Sequence, residues 1–222
     1  MRVYTPEQMR AIDAAAFESV DEVALMRAAG KRIAEAAQRY ARGKKIVAFA
    51  GSGNNGGDAF AALAVLPPAF ERIVYSDGAQ RPSPARRDVE DRASAAGVAV
   101  HELPQSADDA RTALDGCALA LDGLLGTGAR LPPPQKYAAA IAALNESSAT
   151  VLAIDIPTGT DAATGAAGDP AVDADVTVTL GALKIGLLLE PARSLAGELF
   201  LGEIGLPERA FETQHLEFAA LD

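Results

Sequence analysis

The sequence predicts one α/β domain in which a mostly parallel sheet is covered by helices on both sides. Short apolar runs of strand length alternate with longer segments of helical spacing along the 222 residues, and this order is typical of a parallel sheet. The runs are almost continuously apolar, as strands buried on both faces are. No repeat, low-complexity tract or linker interrupts the alternation, so residues 1–222 are predicted to form a single domain.

The beginning of the chain predicts two helices and then a strand that ends at glycine. Thr5 is a suitable helix N-cap, because proline follows it and glutamine stands three residues after it. Apolar residues then recur at helical spacing through residues 9–16 and again through residues 25–37. Residues 46–50 (Ile-Val-Ala-Phe-Ala) predict a buried strand, and a helix is expected to follow Asp58.

The rest of the chain repeats this alternation. Strands are predicted at residues 73–76, 98–103, 118–121, 150–154, 175–180 and near 198–204. Helices are predicted around residues 84–96, 107–114 and 135–145. Charges alternate in sign from Arg86 to Arg92, which predicts a solvated helix face.

The charge balance and the single cysteine exclude several classes of function. Thirty acidic and 20 basic residues give a formal net charge of −10, which argues against nucleic acid and anionic membranes as partners. One cysteine, Cys117, allows neither a disulfide framework nor a multi-thiolate metal site. The N-terminal segment lacks the apolar core of a signal peptide, and no apolar run is long enough to span a membrane. A cytoplasmic location is therefore expected.

Three loops follow apolar strands and carry glycine beside polar oxygens. They are residues 51–58 (Gly-Ser-Gly-Asn-Asn-Gly-Gly-Asp), 122–128 (Asp-Gly-Leu-Leu-Gly-Thr-Gly) and 155–161 (Asp-Ile-Pro-Thr-Gly-Thr-Asp). Ligands of open parallel sheets bind beyond the carboxyl ends of the strands. The three loops are therefore predicted to contribute to one site.

The first loop taken alone also fits a dinucleotide-binding pattern. Gly51, Gly53 and Gly56 match G-x-G-x-x-G, and Asp77 lies where a ribose-binding acid is expected, about 20 residues further on. A plain strand-to-helix turn capped by Asp58 would explain the same glycines. The two adjacent asparagines of the loop are unnecessary for binding a pyrophosphate, however, and they suit a polar substrate or a hard cation.

The oxygen donors of the three loops favour a hard cation over a transition metal. Asp122 and Asp155 each follow directly on a strand, where either could simply cap the next turn. Two such carboxylates beside Asn55 and Thr158 favour a shared site, and one carboxylate among neutral oxygens indicates a monovalent ion. Lys184, beyond another strand end, could either reach a phosphate or lie at the surface.

Together the motifs resemble the YjeF N-terminal domain family, the NAD(P)H-hydrate epimerases. The resemblance rests on residues 54–58 (Asn-Asn-Gly-Gly-Asp), 121–128 (Leu-Asp-Gly-Leu-Leu-Gly-Thr-Gly) and 155–159 (Asp-Ile-Pro-Thr-Gly), with flanking segments at 25–30 and 174–184. It covers nearly the whole chain. It implies a three-layer α/β/α, Rossmann-like domain with a mostly parallel central sheet, a bound potassium ion, and hydrated NADH or NADPH as the substrate.

The functional residues of the family carry over by motif. The resemblance implies Asn55, Asp122 and Thr158 as potassium ligands. The substrate contacts that it implies are Asn54, Asn55, Gly56, Gly57, Asp58, Gly126, Thr127, Gly128, Ala129, Arg130, Leu131, Pro132 and Asp155. Epimerisation needs a positioned proton donor and acceptor, and Asp155 is the candidate for both roles. Thr158 replaces the usual serine of the family and keeps the oxygen ligand.

The resemblance also implies partners. A homodimer is expected. Bacterial members are often fused to a C-terminal dehydratase domain that is absent from these 222 residues, so a separate NAD(P)H-hydrate dehydratase is an expected functional partner. Two alternatives stay open: a Rossmann-type NAD(P)-dependent oxidoreductase, and a non-catalytic nucleotide-binding scaffold. A scaffold would not need all four of Asn55, Asp122, Asp155 and Thr158.

Overall fold

A computed structural model describes residues 3–212 and confirms the α/β prediction. The strands are Val3–Tyr4 (β1), Lys45–Ala50 (β2), Glu71–Ser76 (β3), Ala99–Glu102 (β4), Leu119–Gly123 (β5), Thr150–Ile154 (β6), Val176–Leu180 (β7), Leu183–Lys184 (β8) and Glu198–Gly202 (β9). The α-helices are Pro6–Phe17 (α1), Glu22–Tyr40 (α2), Asn54–Val65 (α3), Pro84–Ala95 (α4), Ala107–Ala113 (α5), Ala138–Glu146 (α6), Ala192–Leu195 (α7) and Glu208–Glu212 (α8). Gln135–Tyr137 and Ile185–Leu188 are short 3₁₀ helices. In this described part of the chain, no helix combines the length and apolar character needed to cross a membrane.

Seven strands form one parallel sheet in the order β4-β3-β2-β5-β6-β7-β9. The chain enters the sheet at β2, builds outward to β4, and then returns to the other side of β2 with β5. The strand order therefore reverses between β2 and β5, and the crevice at such a point is where open α/β sheets bind ligands. The register places Asp122, near the end of β5, beside Phe49 of β2 and Ala153 of β6.

Helices cover both faces of this sheet, as the three-layer prediction requires. Ile46 and Ala48 of β2 belong to the cluster that contains α2, α3 and α4, whereas Val47 and Phe49 belong to the cluster of α5 and α6. All four side chains are at most 1% exposed. Burial on both faces explains why the strand sequences are apolar without alternation.

A second, two-stranded parallel sheet joins the start of the chain to its later part. β1 pairs with β8, so that Tyr4 lies opposite Lys184. α1 begins just after β1 with the predicted cap: the Thr5 hydroxyl accepts a hydrogen bond from the backbone N–H of Gln8, whose side chain accepts one from the backbone N–H of Thr5. Ile12 of α1 packs in one cluster with Tyr4. The small sheet therefore fixes α1 beside β8.

Some boundaries differ from the prediction. α3 begins at Asn54 and already includes Asp58, because the two glycines between them are tightly packed. A Cβ on Gly57 would lie only 2.9 Å from the sulfur of Met26 in α2, so packing outweighs the low helix propensity of glycine. The prediction misses β1, β8, α7 and α8, because elements of two to five residues are too short to show a period.

Candidate functional site

A cavity of about 530 Å³ opens at the carboxyl ends of β2, β5 and β6. The three predicted loops all reach it: residues 52–55 and 58, residues 124–129, and Asp155 line its wall. α1 and Lys184 supply another part of the wall. The cavity thus lies where the strand order reverses, as the position of the loops predicted.

The loop between β2 and α3 requires glycine and is anchored by a buried arginine. A Cβ on Gly56 would lie 2.0 Å from the carbonyl oxygen of Gly51. The guanidinium of Arg86 donates hydrogen bonds to the carbonyl oxygens of Gly51 (3.1 Å) and Gly53 (2.9 Å). Arg86 is 2% exposed, so the predicted solvated face is wrong for this residue, whereas the next residue, Arg87, is exposed.

Asp122 and Thr158 form a fully buried pair behind the cavity wall. The backbone N–H and the hydroxyl of Thr158 each donate a hydrogen bond of 2.7 Å to the carboxylate, and the backbone N–H of Leu124 donates a third at 3.2 Å. Burial still raises the pKa of Asp122 to about 6, because desolvation outweighs these hydrogen bonds. Within residues 3–212 no basic side chain forms an ion pair with this carboxylate.

The side chain of Asn55 is buried without a hydrogen-bond partner. Among the described residues nothing pairs with its Oδ1 or its Nδ2, although the residue is only 8% exposed. It lies against the loop that follows Asp122, since a Cβ on Gly126 would be 3.3 Å from Asn55 Oδ1. An unpaired buried polar group costs about 1–3 kcal/mol. Amide and carboxylate oxygens are ligand types that hard cations accept.

Asp155 is held as a carboxylate by four donors. Its Oδ1 accepts hydrogen bonds from the Lys184 ammonium and the backbone N–H of Leu180, and its Oδ2 accepts from the backbone N–H and hydroxyl of Thr127. Burial opposes the charge, but Lys184 and these hydrogen bonds outweigh it and lower the pKa of Asp155. The backbone is left-handed here (φ 70°), which is uncommon for a residue other than glycine. Lys184 is 3% exposed, so it is not at the surface, and its ammonium is engaged by Asp155 and by the carbonyl oxygen of Leu180.

Asp58 is a second carboxyl group of the cavity, and its pKa is shifted in the opposite direction to that of Asp155. It is 9% exposed and no hydrogen bond to its side chain occurs within residues 3–212. Burial first, and then the charge of Asp155, raise its pKa well above the ordinary value, while Lys184 and Arg86 oppose that rise. Carboxyl groups whose pKa values are pushed apart in one cavity are typical of acid–base sites.

The predicted substrate contacts divide into two groups. Those that line the cavity are Asn54, Asn55, Asp58, Gly126, Thr127, Gly128, Ala129 and Asp155. Those that lie outside its lining are Gly56 and Gly57, which are buried within α3, and Arg130, Leu131 and Pro132, which follow the lining loop. Arg130 is exposed.

The acid that an NAD(P)-dependent oxidoreductase would need is already engaged. Asp77, which follows β3, accepts hydrogen bonds from the Lys136 ammonium and from the hydroxyl of Tyr137 (3.0 Å). Its side chain is 16% exposed. Both donors bind Oδ2, so Oδ1 keeps its acceptor positions and the contacts of Asp77 do not by themselves decide between the two interpretations of the first loop.

Sequence reasoning did not identify the contribution of α1. Arg10 and Asp13 line the cavity, although the polar residues of an amphipathic helix usually face solvent. The sequence of α1 gives little indication of this role, because the helix face is turned toward the site by the pairing of β1 with β8. Lys184 and Arg86 were noticed as charges, but their partners lie 29 and 35 residues away in the chain.

Comparisons with known proteins agree with this geometry. The family model described as YjeF-related protein N-terminus matches residues 22–186. The chain is 33% identical to the NAD(P)H-hydrate epimerase of Rhodopirellula baltica and 34% identical to that of Microbacterium testaceum, over 91% and 99% of its length. Each match covers 84% of the relative.

Other relatives are longer than this chain. The bifunctional NAD(P)H-hydrate repair enzyme Nnr of Archaeoglobus fulgidus is 37% identical over 83% of the chain, which spans only 37% of that relative. The crystal structure of the yeast protein ynu0 matches 100% of this chain and 97% of its own, with a TM-score of 0.81 and 19% identity. At that identity the likeness shows the fold.

Proposed function

Because the chain belongs to the YjeF N-terminus family, we propose that it is an NAD(P)H-hydrate epimerase, an isomerase that interconverts the R and S epimers of hydrated NADH and NADPH. The observation that carries the proposal is the cavity at the point of strand reversal, which combines the ionised Asp155 with the unpaired carboxyl group of Asp58. Two relatives of whose length the chain covers 84% are named for this activity.

The substrate chemistry requires acid and base groups. The hydrate carries a hydroxyl at C6 of a tetrahydronicotinamide ring, beside the ring nitrogen. The C–H bond at C6 is not acidic, so deprotonation there is a poor route. Loss of the hydroxyl with electron donation from the nitrogen, followed by addition of water to the other face, inverts the centre. Because hydroxide is a poor leaving group, a proton donor and a proton acceptor are needed, each contributing about 10²–10⁴-fold.

Asp155 is the proposed catalytic residue, and its surroundings favour the accepting half of that role. Lys184 and Thr127 keep the carboxylate charged at the cavity wall, where it can take a proton from the water that adds to C6. The same donors make Asp155 reluctant to carry a proton in the resting enzyme. Delivery of a proton to the departing hydroxyl therefore needs a second group of the cavity.

The residues fit a monovalent cation, and potassium at Asn55, Asp122 and Thr158 is part of the proposal. The unpaired Oδ1 of Asn55 and the buried carboxylate of Asp122 would both gain a partner. The amide, carboxylate and hydroxyl oxygens of these three residues are hard ligands, which suit potassium better than a transition metal. A bound potassium ion would supply positive charge that orients these loops. Asn54 and Thr127, on the same loops, would then hold the substrate against Asp155.

The proposal includes the setting in which the protein works. We expect a homodimer in the cytoplasm that acts beside a separate NAD(P)H-hydrate dehydratase. The support for a second activity is that relatives named as bifunctional NAD(P)H-hydrate repair enzymes align with this chain over only 36–42% of their length. Light scattering that shows only a 22.8 kDa species would contradict the dimer.

One incubation separates the proposal from its two alternatives. A single purified epimer of NADPH-hydrate is mixed with the protein, intact NADPH and a panel of carbonyl compounds as oxidants, and the products are resolved by chiral chromatography while the absorbance of the NADPH is followed. An epimerase produces the second epimer without a change in redox state. Oxidation or reduction of the cofactor would indicate an oxidoreductase, and binding of the hydrate without conversion would indicate a scaffold.

A further inference from the structure

One wall of the cavity is a face of α1, which precedes the segment matched by the family model. The lining residues of this helix are Pro6, Met9, Arg10, Asp13 and Phe17. Their spacing of three, four, seven and eleven residues from Pro6 places them on one side of the helix. A carboxyl group therefore stands in the middle of a helix face that lines the cavity.

The position of Asp13 is coupled to that of Lys184, the residue that holds Asp155. β1 pairs with β8 so that Tyr4 lies opposite Lys184, and α1 begins two residues after Tyr4. Ile12, beside Asp13, is completely buried in the cluster that also contains Tyr4. The same two-stranded sheet thus positions the carboxyl groups of Asp13 and Asp155 relative to each other.

Asp13 is an unpaired carboxyl group within range of the site charges. Its side chain is half-buried, and within residues 3–212 it makes no hydrogen bond. Burial raises its pKa and the charge of Asp155 raises it further, while the charge of Lys184 opposes the rise. A carboxyl group of this kind keeps its proton more readily than Asp155 and can still exchange it with solvent.

We propose that Asp13 donates the proton to the departing hydroxyl and that Asp155 accepts the proton on the opposite face of the ring, an assignment that rests on the proposed epimerase function. The C6–O bond breaks with its electrons on oxygen, which takes the proton of Asp13 and leaves as water. The nitrogen lone pair forms the N=C6 double bond and leaves a cationic ring. Water then adds to the other face of C6, the double-bond electrons return to nitrogen, and Asp155 takes the released proton.

The proton balance closes over one turnover. Asp13 has lost one proton and Asp155 has gained one, and exchange with solvent restores both groups. In the reverse direction the two residues exchange roles. An inversion at C6 needs proton transfer on both faces of the ring, and the proposal assigns one face to the carboxyl group on α1 and the other to the carboxyl group at the end of β6.

Asp58 is the rival donor, and its deeper burial favours Asp13. Asp58 lies in α3, three residues after Asn55, and is 9% exposed, so its route back to a solvent proton is narrower than that of half-buried Asp13.

Exchange of heavy oxygen from labelled water tests the assignment. The parent should invert both epimers and introduce the label into both. Asp155→Asn should invert the epimers about 10²-fold or more slowly. It should still exchange label into one epimer, the one whose hydroxyl faces Asp13. On that face, loss of the hydroxyl and the return of labelled water to the same face need Asp13 alone. Adding Asp13→Asn should abolish this one-sided exchange, whereas adding Asp58→Asn should lower it without abolishing it.

Single variants separate a chemical role from a structural one. Asp13→Asn should invert about 10²-fold or more slowly while its melting temperature and its affinity for NADPH stay near those of the parent. Asp13→Glu, which keeps the carboxyl group, should recover part of the rate. The proposal would be overturned if Asp13→Asn inverted the epimers at the parent rate. It would also be overturned if the one-sided exchange required Asp58 and survived without Asp13. A parent that inverts neither epimer would instead remove the epimerase function itself.

Discussion

Replacing Lys184 with methionine should destabilise the protein by about 3–5 kcal/mol, because it leaves Asp155 as a buried charge without its cation. The side chains of Lys184 and Asp155 are 3% and 13% exposed, so solvent screens the pair weakly. The ammonium also donates a hydrogen bond of 2.6 Å to the carbonyl oxygen of Leu180, which would lose its partner. Methionine fills a similar volume but supplies no donor.

The loss is measurable by thermal unfolding. In a chain of this size 1 kcal/mol shifts the melting temperature by about 2–4 °C, so we expect a decrease of about 6–20 °C near neutral pH. Because the pKa of Asp155 is lowered in the folded protein, its carboxylate contributes fully to the stability above the ordinary carboxylate pKa. This contribution is lost as the pH falls through the lowered pKa. The deficit of the Lys184→Met variant should therefore shrink in acid.

A double variant provides the control. Lys184→Met combined with Asp155→Asn removes both charges and should be more stable than Lys184→Met alone, because no unpaired charge remains. A loss from Lys184→Met below about 1 kcal/mol, the value of a solvent-exposed pair, would refute the buried arrangement of this ion pair.

Three further predictions concern the neighbouring groups. Because burial raises the pKa of Asp58, the contribution of this residue to stability should fall as the pH rises above about 4, so Asp58→Asn should become more stable relative to the parent over that range in urea unfolding; a difference that does not change with pH would contradict this. Potassium chloride should raise the melting temperature of the parent above its value in equal choline chloride, and Asn55→Leu should abolish the difference; the same shift in both proteins would argue against a cation at this residue. Arg86→Leu should cost about 1–3 kcal/mol for each carbonyl group that it leaves unpaired, whereas Arg87→Leu on the same helix should change stability by less than about 0.5 kcal/mol; equal losses would refute the anchoring role.

The fold could be predicted because its signals are local. Residues 46–50 and 150–154 are apolar throughout, and this pattern follows from burial on both faces of a parallel sheet. The cap at Thr5 needs only neighbours within one helical turn. The start of α3 was misplaced because glycine propensity is local, while the contact between Gly57 and Met26 that outweighs it is not.

The sequence predicts those parts of the site that lie at the ends of strands. Asp122 and Asp155 end neighbouring strands, so the parallel topology alone brings their loops together. The state of each carboxyl group depends instead on partners distant in sequence. Lys184, which holds Asp155, joins the site through its turn after β7 and the pairing of β8 with β1, and no local pattern encodes either.

Chiral chromatography of NADPH-hydrate, started from each purified epimer in turn, tests the central claim most directly. With the parent protein both reactions should reach the same mixture, much faster than they do without protein, and the total amount of hydrate should not change. Asp155→Asn, with substrate affinity nearly intact, should be slower by about 10²-fold or more. Equilibration by the folded parent that is no faster than the spontaneous reaction would contradict the account.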